Sequence, residues 1–411
     1  MMNHRTLPVV VLVALVAACD TKVSNPGRVE DGQLSNPAAV TAIVNGAGRD
    51  LSDGLNWLSY TGAAVAVEIN PAGSTGSFGI SVQQQNGKLL DDDIDTHWAT
   101  SQRARWTAEQ GTARIREVLG ASEFAKNKGA AQILLWVGYA NRLLGENMCD
   151  GVIDGGAKEP YTIYLDRADA AFTEAMAVAT TAGDATLAMA ARAGRASVRL
   201  LKNNPAAAAT DASGVPDGFV YAMPYNSIDQ DQYNRIYWAT ANQPYRAHTV
   251  WHTYYENYYT NSRDPRVAWG QDPKNPQGDA AVGNLGRVPW YFEMKYTKKE
   301  SPINLSSGWE MRLVEAEAKL IAGDVPGAMA LINKHRTALS IAPWTGADAT
   351  AAWTALKRER GIELWLEGRR LGDVRRWATL NRPGAIDEVA GRDVCFPISR
   401  TEKETNPNLT S

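Results

Sequence analysis

The sequence predicts a mainly α-helical fold of antiparallel helix pairs, interrupted by one long loop-rich insertion. Apolar residues recur at helical spacing over most of the chain beyond residue 36. Two of the predicted pairs turn on the same tripeptide, Ala-Gly-Asp, at 182–184 and 322–324. Residues 205–308, in contrast, are rich in Pro, Gly, Asn and Asp and lack a sustained period. Alanine-rich pairs with short turns indicate tetratricopeptide-like stacking of irregular period.

The N-terminus indicates export and lipidation. Residues 1–18 have the pattern of a signal peptide, with an apolar run at 7–16 that is too short to span a bilayer. The run ends in VAAC, and small residues before a cysteine are typical of a bacterial lipobox. We therefore expect cleavage before Cys19 and lipidation of its thiol. The alternative is an ordinary signal peptide with a chance cysteine. The polar residues 19–36 are predicted to form a tether.

The remaining residues, 37–411, are predicted to form one domain. The first helix follows the dipeptide Ser-Asn and begins with Pro37, a typical helix start. In chain order, the predicted helices are 37–53, the pair 95–119 and 122–144 joined at Gly120, the pair 165–181 and 185–201, the pair 310–322 and 325–339, and the pair 353–368 and 371–379.

Charge and cysteine content exclude some functions. The net charge is −3, from 42 basic and 45 acidic residues, which does not favour nucleic-acid binding. Five histidines and three cysteines leave little material for a metal site, and we expect no metal and no cofactor. Once Cys19 is lipidated, Cys149 and Cys395 remain. Outside the cytoplasm such a pair often forms a disulfide, and two buried free thiols are the alternative.

The aromatic residues suggest a ligand surface. Between Tyr221 and Tyr296 lie 11 of the 15 tyrosines and 4 of the 13 tryptophans. Long irregular insertions on a rigid scaffold often carry binding sites, and Trp and Tyr rings stack on flat ligands such as sugars. The carbohydrate-stacking candidates are Trp238, Tyr245, Trp269, Trp290 and Tyr291, with a second group of Trp57, Tyr60 and Phe78 beside the Gly-rich segment 67–92. For any single ring, packing in the core is the competing interpretation.

One aromatic stretch has helical spacing. In VWHTYYENYY (250–259), Trp251 and four tyrosines fall at i, i+3, i+4, i+7 and i+8, which places all the rings on one face of a helix. Such a face is either a ligand platform or part of the core. We favour the core, with the tyrosine hydroxyls reaching polar partners.

The clustered acids are interpreted as structural. Glu359, Glu363 and Glu367 share a helix face, and no histidine stands at ligand spacing from them. We expect an ion-pair network with the nearby arginines and with Asp373. The candidates for its cations are Arg358, Arg360, Arg369, Arg370, Arg375 and Arg376. The acidic run 91–95 lacks the pattern of an EF-hand, so a solvated loop or helix start is favoured over a calcium site.

No catalytic motif is present: the sequence has no GxSxG, no HExxH and no phosphate-binding loop. The prediction is a binding protein and not an enzyme. A surface glycosidase remains the enzymatic alternative, because two suitably spaced carboxylates occur by chance among 45 acidic residues.

The C-terminal part resembles a known family. The matching stretches are WEMRLVEAEAKLIAGD (309–324), ALINKHR (330–336), LKRERGIELWLEGRRLGDVRRW (356–377) and CFPISRTEKETNPNL (395–409). In this order they resemble the SusD/RagB family of outer-membrane nutrient-binding lipoproteins. The lipobox, the helix at Pro37, YANRLLGEN (139–147) and DPR (264–266) fall where that family has similar elements.

The resemblance implies a fold and a role. The fold has four tetratricopeptide-like helix pairs and a loop-rich half that carries the ligand surface. The role is capture of oligosaccharides at the cell surface, in the outer membrane, and delivery to a SusC-like TonB-dependent transporter. A peptide or other nutrient receptor, and a tetratricopeptide-like scaffold for envelope assembly, are the alternatives. Asp20, which follows the lipidated cysteine, favours inner-membrane retention in some bacteria but generally not in lineages with this family.

Overall fold

A computed structural model describes residues 31–241 and 245–409. The signal peptide and Cys19 lie outside the described residues, so their predictions stand untested. Helices dominate the described chain. They are α1 Val40–Val65, α2 Val82–Gln85, α3 Asp95–Phe124, α4 Lys128–Asn147, α5 Thr162–Thr181, α6 Ala185–Leu201, α7 Pro205–Ser213, α8 Arg235–Thr240, α9 Tyr254–Ser262, α10 Gly308–Ile321, α11 Val325–Ala338, α12 Ala349–Glu363, α13 Arg370–Thr379 and α14 Arg400–Thr405.

The Ala-Gly-Asp turns join helix pairs as predicted. Gly183 and Gly323 have φ angles of 69° and 81°, a conformation that glycine adopts at no steric cost. The aspartate that follows each glycine caps the next helix, since Asp184 accepts from Leu187 N at 3.1 Å and Asp324 accepts from Gly327 N at 2.9 Å. The predicted pairs α5–α6 and α10–α11 are therefore confirmed.

The helices stack in succession along the scaffold: α1 on α3, α3 on α4, α4 on α5, α5 on α6, α6 on α7, and α7 on α10, which also contacts α11 and α12. The mainly α-helical, tetratricopeptide-like prediction is confirmed.

Some helix boundaries differ from the prediction. Gly120 breaks α3 internally with φ 68°, and the chain does not reverse there. The turn follows at 125–127, and Asn127 caps α4 by accepting from Ala130 N at 3.1 Å. Helix α1 extends to Val65 because Leu55, Leu58 and their neighbours continue its buried face beyond the predicted end. A further helix, α7, occupies the start of the predicted loop-rich insertion.

Short strands lie mostly within the insertion. They are β1 Asn70–Pro71, β2 Asp150–Gly151, β3 Glu159–Pro160, β4 Val220–Met223, β5 His248–Thr249, β6 Trp269–Gln271, β7 Tyr291–Glu293 and β8 Ile303–Ser307. They form antiparallel pairs, β1 with β5, β2 with β3, β4 with β8 and β6 with β7. The β1–β5 pair attaches the insertion to the segment after α1. Across the described ranges, every helix is too short or too polar to cross a membrane.

A disulfide joins Cys149, just after α4, to Cys395, with the two Cα atoms 5.0 Å apart. The adjoining backbone supports the same contact, because Cys149 N donates to Phe396 O at 2.9 Å and Phe396 N donates to Asn147 O at 2.8 Å. The C-terminal segment is thereby attached to the middle of the helical scaffold.

Glu359 and Glu363 lie on α12 and form ion pairs, but not with the arginines predicted, and Glu367 lies beyond the end of that helix. Arg266 binds Glu359 at 2.6 Å and Glu363 at 2.8 Å. Arg336 binds Glu359 at 3.0 Å, and His335 lies 2.7 Å from Glu363. The partners come from distant segments because the nearby arginines point elsewhere.

Those nearby arginines serve other carboxylates or carbonyls. Arg360 and Arg376 bind Asp373, whereas Arg375 donates to backbone carbonyls and does not join that cluster. Arg369 binds Glu146 and Glu310, each at 2.8 Å. The remaining pairs are Arg358 with Glu388, Arg370 with the carbonyl of Lys357, and Lys295 with Glu367.

The carboxylates of the acidic run 91–95 bind basic and hydroxyl side chains. Asp91 binds Lys403 at 2.9 Å, and Asp92 binds Arg400 at 3.0 Å. Asp95 accepts from the Thr401 hydroxyl at 2.8 Å. These contacts explain the run as an attachment point for α14. Within the described ranges, no group of three or more His, Cys, Asp and Glu side chains is arranged to hold a metal ion.

The aromatic stretch at 250–259 packs into the protein. Helix α9 begins at Tyr254, capped by Thr253, so Trp251 lies before the helix and not on its face. Tyr255 is buried and donates to Gly361 O at 3.1 Å. Tyr258 donates to Asp264 at 2.9 Å. The core interpretation, with hydroxyls on polar partners, holds for Tyr255 and Tyr258; the helical placement of Trp251 is wrong.

Candidate ligand-binding site

A cavity of about 150 Å³ opens where α1, the segment after β1 and residues 230–238 and Tyr245 of the insertion meet. We call it the aromatic cavity, and its lining residues are Asn56, Ser77, Phe78, Gln230, Asp231, Tyr233, Arg235, Trp238 and Tyr245. Because sites that enclose whole small molecules have about 300 Å³ or more, this cavity suits one ring-sized unit of a longer ligand.

Four rings form a continuous arc along the cavity. Phe78 and Tyr245 meet edge to face at 5.3 Å between centroids, and Tyr245 lies 4.9 Å from Trp238. Trp238 in turn meets Tyr233 at 5.0 Å. Tyr245 is 39% exposed, and Trp238 and Tyr233 are half-buried, so part of the arc faces solvent. Such an arc offers apolar surface to a ligand face.

Asn56 on α1 holds the arc in place. Its amide donates to Tyr233 O at 2.7 Å, and its Oδ1 accepts from Arg235 N at 3.0 Å. Asn234, between them, caps α8 by accepting from Tyr237 N and donates to Ser301 O at 2.9 Å. Both amides are buried with their polar atoms bonded, so the backbone at 233–235 is fixed on both sides.

Arg235 forms the inner wall. Its guanidinium lies 3.5 Å from the centroid of Trp57, and Nη1 donates to Phe78 O at 3.1 Å. Burial lowers the pKa of Arg235, although the guanidinium remains charged at neutral pH. The Lys299 ammonium lies 4.5 Å from the Tyr233 centroid and 5.0 Å from the Trp238 centroid. Lys299 therefore interacts with two rings of the arc, while Arg235 interacts with the Trp57 ring behind it.

Polar groups stand at the mouth. Ser77, Gln230 and Asp231 are exposed and line the cavity. Together with the stacking arc they provide hydrogen-bond donors and acceptors beside apolar ring faces. That combination recognises a ligand unit with one apolar face and a hydroxyl-bearing rim.

The structure brings some of the predicted stacking residues to the aromatic cavity and places the others behind it or elsewhere. Trp238, Tyr245 and Phe78 line the cavity. Trp57 stands behind it, with Arg235 covering its ring, so it is not available for stacking. Tyr60 is fully buried, and its hydroxyl lies 2.9 Å from His248 Nδ1. The two candidate groups, distant in sequence, do meet at one place.

The other candidates lie away from this cavity. Trp269 and Tyr291, on the paired strands β6 and β7, stack on each other with centroids 4.3 Å apart. Trp290 is 1% exposed and donates to Thr240 O at 2.8 Å. Its assignment as a stacking residue is corrected, because a ring enclosed by the core offers no face to a ligand.

Sequence reasoning missed Asn56, Tyr233 and Arg235. Asn56 directly precedes Trp57, and Tyr233 lies five residues before Trp238, so ring density near 233–245 was a usable signal for the tyrosine. No local pattern marks Asn56 or Arg235, because their roles depend on contacts between α1 and a segment more than 150 residues away.

Comparison with known proteins identifies the relatives of this chain. Residues 215–410 match the model described as the SusD family, which confirms the resemblance seen in the sequence. No curated protein sequence matches. Among solved structures, a SusD superfamily protein from Parabacteroides distasonis has a TM-score of 0.65 at 14% identity, covering 91% of this chain and 98% of that one.

Two further structures have the same fold. A SusD-like carbohydrate binding protein from Bacteroides vulgatus has a TM-score of 0.62 at 16% identity, with 83% of each chain covered. A SusD/RagB family protein from Bacteroides thetaiotaomicron has a TM-score of 0.63 at 12% identity, covering 90% of this chain and 94% of that one. At these identities the likeness establishes the fold alone.

Proposed function

We propose, on the basis that residues 215–410 of this chain belong to the SusD family, that the protein captures oligosaccharides at the cell surface. The observation that carries the proposal is the aromatic cavity, in which rings from two distant parts of the sequence form one arc beside exposed hydrogen-bonding groups. A solved relative from Bacteroides vulgatus is described as a carbohydrate binding protein, which favours the same ligand class.

The cavity favours one sugar unit of a longer chain. A pyranose has apolar C–H faces and a rim of hydroxyls, which match the Trp238 and Tyr245 rings and the side chains of Gln230 and Asp231. The volume of about 150 Å³ leaves the rest of a chain outside. One sugar unit in an open cavity makes only a modest contact area with the protein. We therefore expect each unit to contribute moderate binding affinity.

The proposed cellular role is delivery of the captured oligosaccharide to a SusC-like TonB-dependent transporter. We place the protein in the outer membrane, anchored through lipid on Cys19 and exposed at the cell surface. The expected N-terminal lipobox and the family membership support this placement. The role requires binding and release without chemistry, so the protein is proposed not to be an enzyme.

Titration of intrinsic tryptophan fluorescence with an oligosaccharide panel tests the ligand class. Trp238 lies in the cavity wall, so a bound sugar changes its surroundings and its emission. We expect a saturable change with at least one series among cello-, xylo-, manno- and maltooligosaccharides. A flat response across the panel contradicts the carbohydrate proposal and favours a peptide ligand or a scaffold role. Release of reducing sugar during the titration would instead establish a glycosidase.

Gentle solubilisation of the native outer membrane tests the cellular role. We expect a TonB-dependent barrel to accompany the protein in comparable amount when it is affinity-purified. Absence of the protein from this membrane, or recovery with assembly factors alone, contradicts the delivery role. A Cys19→Ala variant provides the matched control, because loss of the lipid should release the protein from the membrane fraction.

A further inference from the structure

A second pocket, of about 380 Å³, lies upstream of the aromatic cavity on the same helix. We call it the upstream pocket. Its α1 wall contains Asn45, Gly48, Arg49 and Ser52 beside the buried Val44, and its other walls come from α4, from the end of β4 and from the residues that follow β4. Nothing in the aromatic arc contributes to it, so the two spaces are separate.

Helix geometry places both spaces on one face of α1. Relative to Asn45, the residues Gly48, Arg49, Ser52 and Asn56 fall at i+3, i+4, i+7 and i+11, which keeps them on one stripe of the helix. The first four line the upstream pocket, and Asn56 lines the aromatic cavity. At 1.5 Å per residue, Gly48 lies roughly 12 Å along the axis from Asn56.

One loop separates the two spaces. Residues 226–232, which we call the crossing loop, are closed at the base by the bond from Asn226 N to Gln232 O at 3.0 Å. The loop rests on α1, because Ser52 Oγ donates to Gln232 Oε1 at 3.1 Å. Asn226 lines the upstream pocket and Gln230 lines the aromatic cavity, so the loop borders both.

The lining of the upstream pocket suits a hydroxyl-bearing ligand. Asn45, Arg49 and Asn226 are exposed at its rim and offer amide and guanidinium groups. Met223 and Tyr225 are buried and supply apolar surface. None of the described residues that line the pocket is acidic, and the carboxylates paired with the Arg49 guanidinium, those of Asp50 and Asp229, lie outside the lining.

The base of the pocket contains a buried donor. Trp136 is 8% exposed, and its indole Nε1 has no hydrogen-bond partner among the described residues. This nitrogen faces Gly48, where an added Cβ would lie 3.3 Å from it. An unbonded buried donor is unfavourable, and a ligand oxygen reaching past Gly48 would satisfy it. The absence of a side chain at Gly48 leaves the space beside this nitrogen unfilled.

We infer that the upstream pocket is a second subsite for the same oligosaccharide, so that the chain lies along α1 and over the crossing loop. This inference rests on the proposed function. The roughly 12 Å between the two positions exceeds one pyranose ring, so only an oligomer reaches both. The protein then selects for ligand length as well as for the sugar unit, because each subsite adds its own contacts to one binding event.

The test compares two-unit and six-unit members of cello-, xylo-, manno- and maltooligosaccharide series by isothermal calorimetry. The variant is Asn45→Ala/Arg49→Ala. Both side chains are exposed, and the Arg49 ion pairs, at 4.0 Å to Asp50 and 3.7 Å to Asp229, are surface contacts of little weight in folding. The control is Glu123→Ala/Lys126→Ala, which removes an exposed pair near the end of α3.

In the series that binds, we expect the wild type to prefer the six-unit sugar by at least tenfold. The Asn45→Ala/Arg49→Ala variant should lose about tenfold in affinity for the six-unit sugar and keep its affinity for the two-unit sugar, while the control changes neither. An Asn45→Trp variant fills the pocket with a ring instead of removing polar groups from it. It should also lose affinity for the six-unit sugar and keep its affinity for the two-unit sugar.

Equal six-unit affinity in the wild type and in both pocket variants overturns the second subsite while leaving the proposed function intact. Loss of the two-unit sugar as well would also overturn it, because the damage would then extend to the aromatic cavity. Failure of every series to bind the wild type contradicts the proposed function itself. Far-UV circular dichroism and thermal melting of each variant show that the fold is retained.

Discussion

The Arg235 guanidinium lies over the Trp57 ring, 3.5 Å from its centroid. This contact uses the ring face that a sugar would need and turns a candidate stacking residue into a support for the cavity wall. Because Arg235 also bonds the carbonyl of Phe78, the pair couples α1 to the segment after β1. The stacking surface itself is left to Trp238, Tyr245 and their neighbours in the arc.

Replacement of Trp238 should weaken oligosaccharide binding. Trp238→Ala removes the ring between Tyr233 and Tyr245, so we expect at least a tenfold loss of affinity, or about 1.4 kcal/mol. Calorimetric titration with the sugar series that binds measures this loss. Trp106→Ala is the matched control, since Trp106 is 51% exposed on α3 and lies outside the cavity lining. Equal affinities for both variants would contradict the assignment of the cavity.

The disulfide should contribute strongly to stability. Cys149 and Cys395 are 246 residues apart, and the chain-entropy model gives about 5 kcal/mol as an upper estimate for so long a loop. The double variant Cys149→Ser/Cys395→Ser should unfold at a lower urea concentration than the oxidised wild type. The wild type measured with reductant serves as the control and should match the variant. Coincident midpoints for oxidised and reduced protein would show that the bridge adds nothing.

Arg266 should be essential to the fold. It contacts Glu359 and Glu363 on α12 and binds Asp264 at 2.7 Å. Burial acts to raise the pKa of Glu363, but the His335 hydrogen bond and the Arg266 charge hold that pKa below its ordinary value. Arg266→Met leaves buried carboxylates without this cation, and we expect a loss of about 3–5 kcal/mol in the free energy of unfolding.

Chemical denaturation of the Arg266→Met variant measures that loss. Lys126→Met is the control, because Lys126 and Glu123 are 53% and 61% exposed and such pairs contribute about 1 kcal/mol or less. A similar small change in both variants would mean that the α12 network does not hold the fold.

Stability should fall as pH rises through the weakly acidic range. Burial raises the pKa of Glu293 from 4.5 to about 8. The hydrogen bond from Tyr296 N acts in the opposite direction, because it favours the charged carboxylate, but burial has the larger effect. Between these values the folded state keeps a proton that the unfolded state has lost, so raising the pH favours unfolding, by at most about 1.4 kcal/mol per pH unit for one proton.

Glu293→Gln should flatten this part of the stability curve. Denaturant midpoints recorded from pH 4.5 to 8 for the wild type and the variant isolate the contribution of Glu293. Burial also raises the pKa of Glu68, to about 7, so the variant should retain part of the slope. Identical slopes for the wild type and the variant would show that Glu293 ionises normally in the folded protein.

The helix pairs were predictable because their signals are local. The Ala-Gly-Asp tripeptide contains both the residue that ends one helix and the residue that caps the next, so no distant contact is needed to place α5–α6 or α10–α11. Gly120 misled the prediction for α3 and α4, because a glycine that bends a helix and one that ends it look alike in sequence.

The candidate site was only partly predictable, because exposure is a tertiary property. Trp238 and Trp290 have similar surroundings in the sequence, yet one lines the cavity and the other is bonded to Thr240 inside the core. The cavity also depends on the bond from Asn56 to the carbonyl of Tyr233, across 177 residues. Ring density showed that a binding region was present, but not which rings would meet.

The disulfide also determines how the molecule responds to mechanical force. While Cys149 and Cys395 are bridged, a pull on the two sides of the chain cannot extend the segment between them, about 850 Å of contour at full extension. Phe78 and α1 lie outside this closed segment, whereas Trp238 and Tyr245 lie within it. The two walls of the aromatic cavity therefore lie in parts of the chain that respond differently to a pull on its two ends: one can be extended, and the other stays closed while the bridge is intact.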